Sequence, residues 1–220
     1  MSDEGGAVAR VRVWDLPTRL FHWLLVVLIG VMWWSAEYHR MDIHLLVGPI
    51  VLGLLLFRLV WGVIGGSTAR FANFIRGPRA AMSYLNGRAA HVLGHNPIGG
   101  WSVAIMLLLL CTQVGLGLFA SDEDGFAAGP LSKYVTYGSA RKLAHNHHLL
   151  FNILLVFMAL HVAAILFYAL VKRNNLVGPM LHGRREAPAG AAGLVPASPA
   201  RFLIAAAIAI GVTLLLTRWL

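Results

Sequence analysis

Residues 145–161 read HNHHLLFNILLVFMALH, with three histidines at the head of an apolar run and one at its tail. The run continues to about residue 171, and about 20 apolar residues suffice for a helix to cross a bilayer. Histidine is rare and costly inside a membrane, so an intramembrane histidine is a candidate functional residue. The stretch therefore predicts a membrane helix that contains functional histidines.

The rest of the chain has the composition of a membrane protein. Of its 220 residues, 58% are hydrophobic and only 12% are charged, which is too apolar for an ordinary soluble domain. Apolar runs predict five spans, at 20–36, 44–64, 101–119, 147–171 and 202–219. The predicted fold class is therefore an all-α integral membrane protein. The single cysteine excludes an internal disulfide and a C-x-x-C-H site for covalent haem.

Basic residues concentrate in alternate connections between the spans. Segments 1–19, 65–100 and 172–201 are rich in arginine, whereas the other two connections mix acids with bases. The positive-inside rule then predicts a cytoplasmic N-terminus and a C-terminus on the outer side of the membrane. Topology and lipid headgroups explain the net charge of +9, so no nucleic-acid partner is expected.

The chain divides into four predicted parts. Residues 1–11 are expected to be a disordered cytoplasmic N-terminus, and residues 12–181 form the main transmembrane domain. Residues 182–201, rich in Pro, Ala and Gly, are expected to be a linker. Residues 202–220 form a fifth helix at the periphery of a four-helix bundle.

Helical geometry selects one histidine from the cluster at 145–148. Each residue turns a helix by about 100° and advances it by about 1.5 Å. His147 precedes His161 by 14 residues, so their side chains lie within about 40° of each other and roughly 21 Å apart along the axis. His145 and His148 point elsewhere. Depth then pairs His147 with His44 near the outer surface, and His161 with His22 near the inner surface.

Two stacked histidine pairs in a bundle core fit the axial ligation of two non-covalent b haems. A bare metal site would usually add carboxylates or cysteines, and a proton relay would add Asp or Glu, but the helices offer none at these depths. The other histidines, His39, His91, His95 and His182, fall in loops and are expected to be solvated.

Two weaker features accompany the histidines. Arg58 follows His44 by 14 residues and could either hold a haem propionate or extend to the headgroups. Gly30, Gly48 and Gly53 could admit a flat cofactor, or they could mark places where helices touch.

The segments VWDLPTRLFHW (13–23), HLLVGPIVLGLLLFRLVWG (44–62) and GHNPIGGW (94–101) carry a family resemblance, together with the His147–His161 interval. Over residues 12–181 the chain resembles the bacterial cytochrome b561 family, in particular the b-type cytochrome subunits of nickel-iron hydrogenases. The resemblance implies a four-helix dihaem core with ligands at His22, His44, His147 and His161. It also implies a bacterial inner membrane, with the outer face in the periplasm, and electron transfer between a partner at that face and the quinone pool. The added fifth helix departs from the family pattern.

Three functions follow as hypotheses. The first is an electron-transfer subunit that links quinone to a periplasmic hydrogenase or soluble cytochrome c, and the chain could also pair as a homodimer. The second is a superoxide:ubiquinone oxidoreductase, which is disfavoured because acidic residues offset the positive charge of the outer loop at 120–145. The third is a haem-free transporter or scaffold, which requires the histidine alignment to be accidental.

Overall fold

The computed structural model describes residues 8–86, 94–122, 124–125, 127–188 and 190–217. Within these ranges, five helices are long and apolar enough to cross a membrane. They are α1 (Leu16–Glu37), α2 (Met41–Ile64), α5 (Pro97–Phe119), α6 (Tyr137–Leu170) and α8 (Pro199–Thr217). Shorter elements lie between them: strands β1 (Val8–Arg12) and β2 (Arg184–Pro188), helices α3 (Phe71–Phe74), α4 (Pro78–Leu85) and α7 (Val177–His182), and a 3₁₀ turn at Ser132–Tyr134.

Polar caps explain why the helices begin before their apolar runs. The Asp15 side chain accepts from the Thr18 amide at the start of α1, and the Asn96 side chain accepts from the Gly99 amide at the start of α5. Thr136 caps α6 in the same way, so that α6 begins at Tyr137, ten residues before the run that the sequence indicated. The 34 residues of α6 span about 51 Å, so part of this helix extends beyond the roughly 30 Å hydrocarbon layer.

The helices pack as two antiparallel pairs joined through α2 and α5. Helix α1 lies on α2, α5 lies on α6, and α2 contacts α5. Their shared core is an apolar layer of eight buried residues: Phe21, Leu25, Val47, Val51, Leu55, Leu107, Leu110 and Leu154. Helix α8 packs along α2, where Ala205 and Ala209 are buried and Gly53 approaches Thr213.

One end of the bundle carries most of the short elements. It is where α1, α5 and α8 begin and α2 and α6 end, and we call it the basic end because the arginine-rich segments lie there. The other end carries the turn between α1 and α2 and the loop between α5 and α6. We call it the opposite end.

A two-stranded antiparallel sheet at the basic end corrects two expectations. β1 pairs with β2 from Val8↔Pro188 to Arg12↔Arg184, so residues 8–11 are ordered and the expected linker contains a strand. Leu194 then donates to the Arg12 carbonyl, and Ser67 donates to the Val195 carbonyl. Five-residue strands give a weak sequence signal, and their pairing here joins segments more than 170 residues apart. Residues 1–7 lie outside the described part.

Candidate functional site

Two of the four selected histidines meet near the opposite end of the bundle. His44 lies in the first turn of α2, and His147 lies in the third turn of α6. The centres of their imidazole rings are 6.3 Å apart, and the ring planes are inclined by 79°. We call this arrangement the opposite-end pair.

Backbone carbonyls fix both rings of the opposite-end pair. His147 Nδ1 lies 2.8 Å from the Gln113 carbonyl oxygen. His44 Nδ1 lies 3.2 Å from the Met32 carbonyl oxygen and 3.1 Å from Ser35 Oγ. Because a carbonyl can only accept, Nδ1 of each ring carries the proton and Nε2 keeps its lone pair. Each imidazole is therefore in the tautomer that binds a metal through Nε2.

A cavity of about 330 Å³ opens beside this pair. It is mostly apolar and is lined by both histidines, by Gly48 and by Leu154. Gly117 also borders the site: a Cβ built there would lie 3.0 Å from Cε1 of His147. Glycine at this position lets α5 pass close behind the imidazole. Gly53, by contrast, faces Thr213 of α8, so it lies at the contact between α2 and α8.

The other two selected histidines meet near the basic end. His22 lies in the second turn of α1, and His161 lies in the last third of α6. Their ring centres are 6.5 Å apart with an inclination of 53°, and we call them the basic-end pair. His22 also packs edge-on against Trp23 at 4.9 Å. Its Nδ1 is buried and has no hydrogen-bond partner among the described residues.

The spacing of both pairs suits two axial ligands of one metal centre. A metal–nitrogen bond is about 2 Å long, and an imidazole nitrogen lies about 1.1 Å from its ring centre, so two axial rings have centres about 6 Å apart. The observed distances are 6.3 and 6.5 Å. No three His, Cys, Asp or Glu side chains converge in the described ranges, so each level presents one pair of imidazoles and no further candidate ligand of these types. This donor set fits a haem, because the macrocycle supplies the other ligands of the iron. An isolated metal ion would need more than two protein ligands.

Arg58 lies in a buried aromatic setting near the basic-end pair. Only 2% of its surface is exposed, so its guanidinium does not reach lipid headgroups. The guanidinium carbon lies 4.8 Å from the centre of the Phe71 ring and 6.0 Å from those of Phe21 and Phe74. Its Nη1 is buried without a hydrogen-bond partner in the part of the chain described. A buried guanidinium nitrogen in this state is suited to an acidic group of a ligand.

His95 joins this region, although the sequence placed it among the solvated histidines. Its ring lies 4.6 Å from both Trp14 and Phe74, and its Nδ1 is buried without a partner in the described segments. Burial lowers the pKa of His95 to about 3, with further contributions from the charges of Arg58 and His161. His95 is therefore neutral at physiological pH. The motif GHNPIGGW contained the signal, since Asn96 caps α5 and so fixes His95 against the bundle end.

Asp15 is a second buried group that the sequence did not single out. Besides capping α1, its carboxylate accepts a hydrogen bond of 3.0 Å from the Trp61 indole. It thereby joins the start of α1 to the end of α2 beside the basic-end pair. Its negative charge also attracts the guanidinium group of Arg58.

The remaining histidines that the structure describes lie at the surface. His145 and His148 are exposed, although His148 borders the rim of the cavity. His39 occupies the turn between α1 and α2, and His182 Nδ1 accepts from the Arg184 amide. His91 lies outside the described residues.

Comparison with known proteins identifies the family. A family model described as "Prokaryotic cytochrome b561" matches residues 13–183. No curated protein and no solved structure matches the chain. The family binds b-type haem, in agreement with the donor set of the two histidine pairs, and its members are multi-pass membrane proteins of electron transfer. With a match over more than half of its length, this chain belongs to the prokaryotic cytochrome b561 family.

Proposed function

We propose that this protein carries electrons across the membrane through two b haems, between a periplasmic redox partner and the quinone pool. In this proposal its role is similar to that of the b-type cytochrome subunits of nickel-iron hydrogenases. His22 and His161 would hold one haem, and His44 and His147 would hold the other. The observation that carries the proposal is the pair of facing imidazoles at each end of one bundle, with ring centres 6.5 and 6.3 Å apart.

The protein residues supply ligation, orientation and burial for this function. Haem contributes one-electron redox chemistry when it is bound. The carbonyls of Met32 and Gln113 orient the opposite-end pair, and Arg58 and His95 would meet the acidic groups of the haem at the basic-end pair. Between the two levels, Leu154 lies seven residues from both His147 and His161 and is almost fully buried. The apolar core layer that contains Leu154 would keep water out of the space between the two histidine pairs.

The central test is spectroscopic. Pyridine haemochrome analysis and reduced-minus-oxidised spectra of the purified protein should give two b haems per chain. Well-folded protein that binds no haem when haem is supplied during expression would contradict the proposal.

Single substitutions test the assignment of ligands. His22→Ala and His161→Ala should each remove one haem, and His44→Ala and His147→Ala should each remove the other. The matched controls are His145→Ala and His148→Ala, which alter exposed residues of the same helix. Retention of two haems in His147→Ala, with loss in a control, would contradict the choice of His147.

The partner is proposed to dock at the opposite end. The loop there is ordered in its described part, where Ser121 bridges to Ala128 and the Asp122 carboxylate accepts from the Ala127 amide. It carries both acidic and basic side chains, which favour orientation by charge complementarity. Stopped-flow reduction by soluble cytochromes at several ionic strengths should show rates that fall with salt.

Faster reduction by superoxide than by any cytochrome would favour a superoxide:ubiquinone oxidoreductase instead. Size-exclusion chromatography with light scattering tests the homodimer.

A further inference from the structure

A large polar cleft lies at the basic end, and none of the four paired histidines lines it. It has a volume of about 1170 Å³ and runs along the β1–β2 sheet to α7, whose Gly178, Pro179 and His182 also line it. Six arginines line it, together with Glu186 as the single acidic residue of the lining: Arg10, Arg12, Arg19, Arg173, Arg184 and Arg185.

The sheet itself concentrates positive charge on one face. In the register of the two strands, Arg12 lies directly opposite Arg184, and Arg10 lies opposite Glu186. Like charges directly opposite each other in an antiparallel pair are destabilising. The Arg10–Glu186 pair, at 3.8 Å and largely exposed, offsets only one of these charges. The positive charges of Arg12 and Arg184 therefore have no acidic residue opposite them in the sheet, and a bound anion would relieve their repulsion.

The remaining arginines come from other elements. Arg19 lies in the first turn of α1, and its Nε is buried without a partner among the described groups. Arg173 follows the end of α6 with a left-handed φ of 49°. Arg185 is held by a 2.9 Å hydrogen bond to the Asn174 side chain. Four separate segments thus bring guanidinium groups to one cleft.

The position of the cleft indicates the source of the anion. Arg19 and Arg173 are attached to the ends of two membrane-spanning helices, so the cleft lies at the level of the lipid headgroups. Guanidinium groups bind phosphate oxygens through paired, charge-assisted hydrogen bonds. Basic pockets at the ends of membrane helices are suited to anionic headgroups.

We propose that this cleft binds the headgroup phosphate of an anionic phospholipid, such as phosphatidylglycerol. The site is separate from the proposed haem ligands and does not depend on them. A zwitterionic lipid carries a compensating ammonium, so it is expected to bind more weakly to a cleft with six arginines and one glutamate.

The test compares two double variants of equal charge in the full chain. Arg12→Gln/Arg184→Gln removes the opposed pair in the cleft, and Arg79→Gln/Arg201→Gln removes two exposed arginines of the basic end that do not line it. Each protein is placed in nanodiscs of phosphatidylcholine, with or without phosphatidylglycerol. Bound lipid is measured by native mass spectrometry after extraction, and stability by the Tm.

The native chain and the control variant should retain phosphatidylglycerol and gain Tm from it. The cleft variant should bind this lipid about a hundredfold more weakly, because each of its two lost charge-assisted contacts removes about a factor of ten in affinity. In phosphatidylcholine alone, the cleft variant should be at least as stable as the native chain, since the like-charge pair is gone. A fall in Tm under both conditions would instead indicate a purely structural role and overturn the proposal.

Two other outcomes also overturn it. Equal loss of phosphatidylglycerol in both double variants would show a general attraction of the basic end. Inorganic phosphate, added to phosphatidylcholine nanodiscs and compared with sodium chloride of equal ionic strength, should have little effect on Tm. Full stabilisation by inorganic phosphate would assign the cleft to a soluble phosphate compound.

Discussion

The His147 imidazole donates from Nδ1 to the Gln113 carbonyl across 2.8 Å, whereas Nδ1 of His22 has no partner among the described residues. The two histidine pairs are thus alike in spacing and different in hydrogen bonding. A hydrogen bond from Nδ1 raises the basicity of the ligating nitrogen, and basic ligands stabilise the oxidised state of a metal. The structure therefore distinguishes the two proposed redox sites.

We expect the reduction potential at the basic-end pair to be the higher of the two. The buried cation of Arg58 favours the reduced state there, and the carbonyl hydrogen bonds at the opposite-end pair favour the oxidised state. Arg58→Gln should lower the potential at the basic-end pair by an amount on the order of tens of millivolts. Spectroelectrochemical titration measures both potentials. Arg201→Gln is the control, and equal shifts in both variants would contradict a local effect of Arg58.

Gly117→Val should displace His147 and remove the haem that we propose for the opposite-end pair. A Cβ at this position already lies 3.0 Å from the imidazole, so two further methyl groups cannot fit without moving the ring. Haem content should fall from two per chain to about one, as measured by pyridine haemochrome analysis. Gly115→Val is the matched control on the same helix, because a Cβ at Gly115 meets nothing within 4 Å. Two haems in Gly117→Val would contradict the prediction.

Leu154→Ala should destabilise the bundle by about 2–5 kcal/mol, the usual cost of a large-to-small change in a packed core. Leu154 is 1% exposed, whereas the adjacent Leu155 is 39% exposed and does not belong to the buried core cluster. Reversible unfolding in mixed micelles compares Leu154→Ala with Leu155→Ala. Similar losses in the two variants would show that Leu154 does not pack as described.

Asp15→Ala should cost about 1–3 kcal/mol of stability, since it removes the cap of α1 and leaves the Trp61 indole without its acceptor. Trp61→Phe separates the two contributions, because it spares the cap. Thr136→Ala, which removes an exposed cap from α6, should have a smaller effect. Denaturant titration ranks the three variants, and a larger loss in Thr136→Ala would contradict the role given to Asp15.

Acid should destabilise the protein through His95. Its pKa is lowered to about 3 in the folded state, from an ordinary value of 6.5, so below pH 6.5 the unfolded chain binds a proton that the folded chain does not. Stability therefore falls as the pH decreases from about 6.5 towards 3. His95→Asn should flatten this part of the stability–pH curve. An unchanged slope in this variant would show that other groups cause the acid sensitivity.

The membrane helices could be predicted from the sequence because long apolar runs are a strong local signal. The 14-residue interval between His147 and His161 was equally informative, because residues at this spacing lie on the same face of a helix. The structure brings both pairs together as that interval requires. The identity of the bound groups stays a proposal.

Other features depended on contacts that no local pattern contains. His95 looked solvated because its neighbours in sequence are loop-like, yet Trp14 and Phe74 enclose it from distant segments. Arg58 could equally have extended to the headgroups, and only the packing of three phenylalanines around it decides for burial. The pairing of β1 with β2 likewise joins segments that lie more than 170 residues apart in the sequence.

The β1–β2 sheet flanks both edges of the family region, since β1 ends at Arg12 and β2 begins at Arg184 while the match covers residues 13–183. The two edges of the cytochrome domain are consequently neighbours in space, on the same side of the bilayer. A circularly permuted protein, with these edges joined by a short peptide and new termini in the loop at the opposite end, should keep all four helices in place. The order in which the helices enter the membrane would change, while the fold would not.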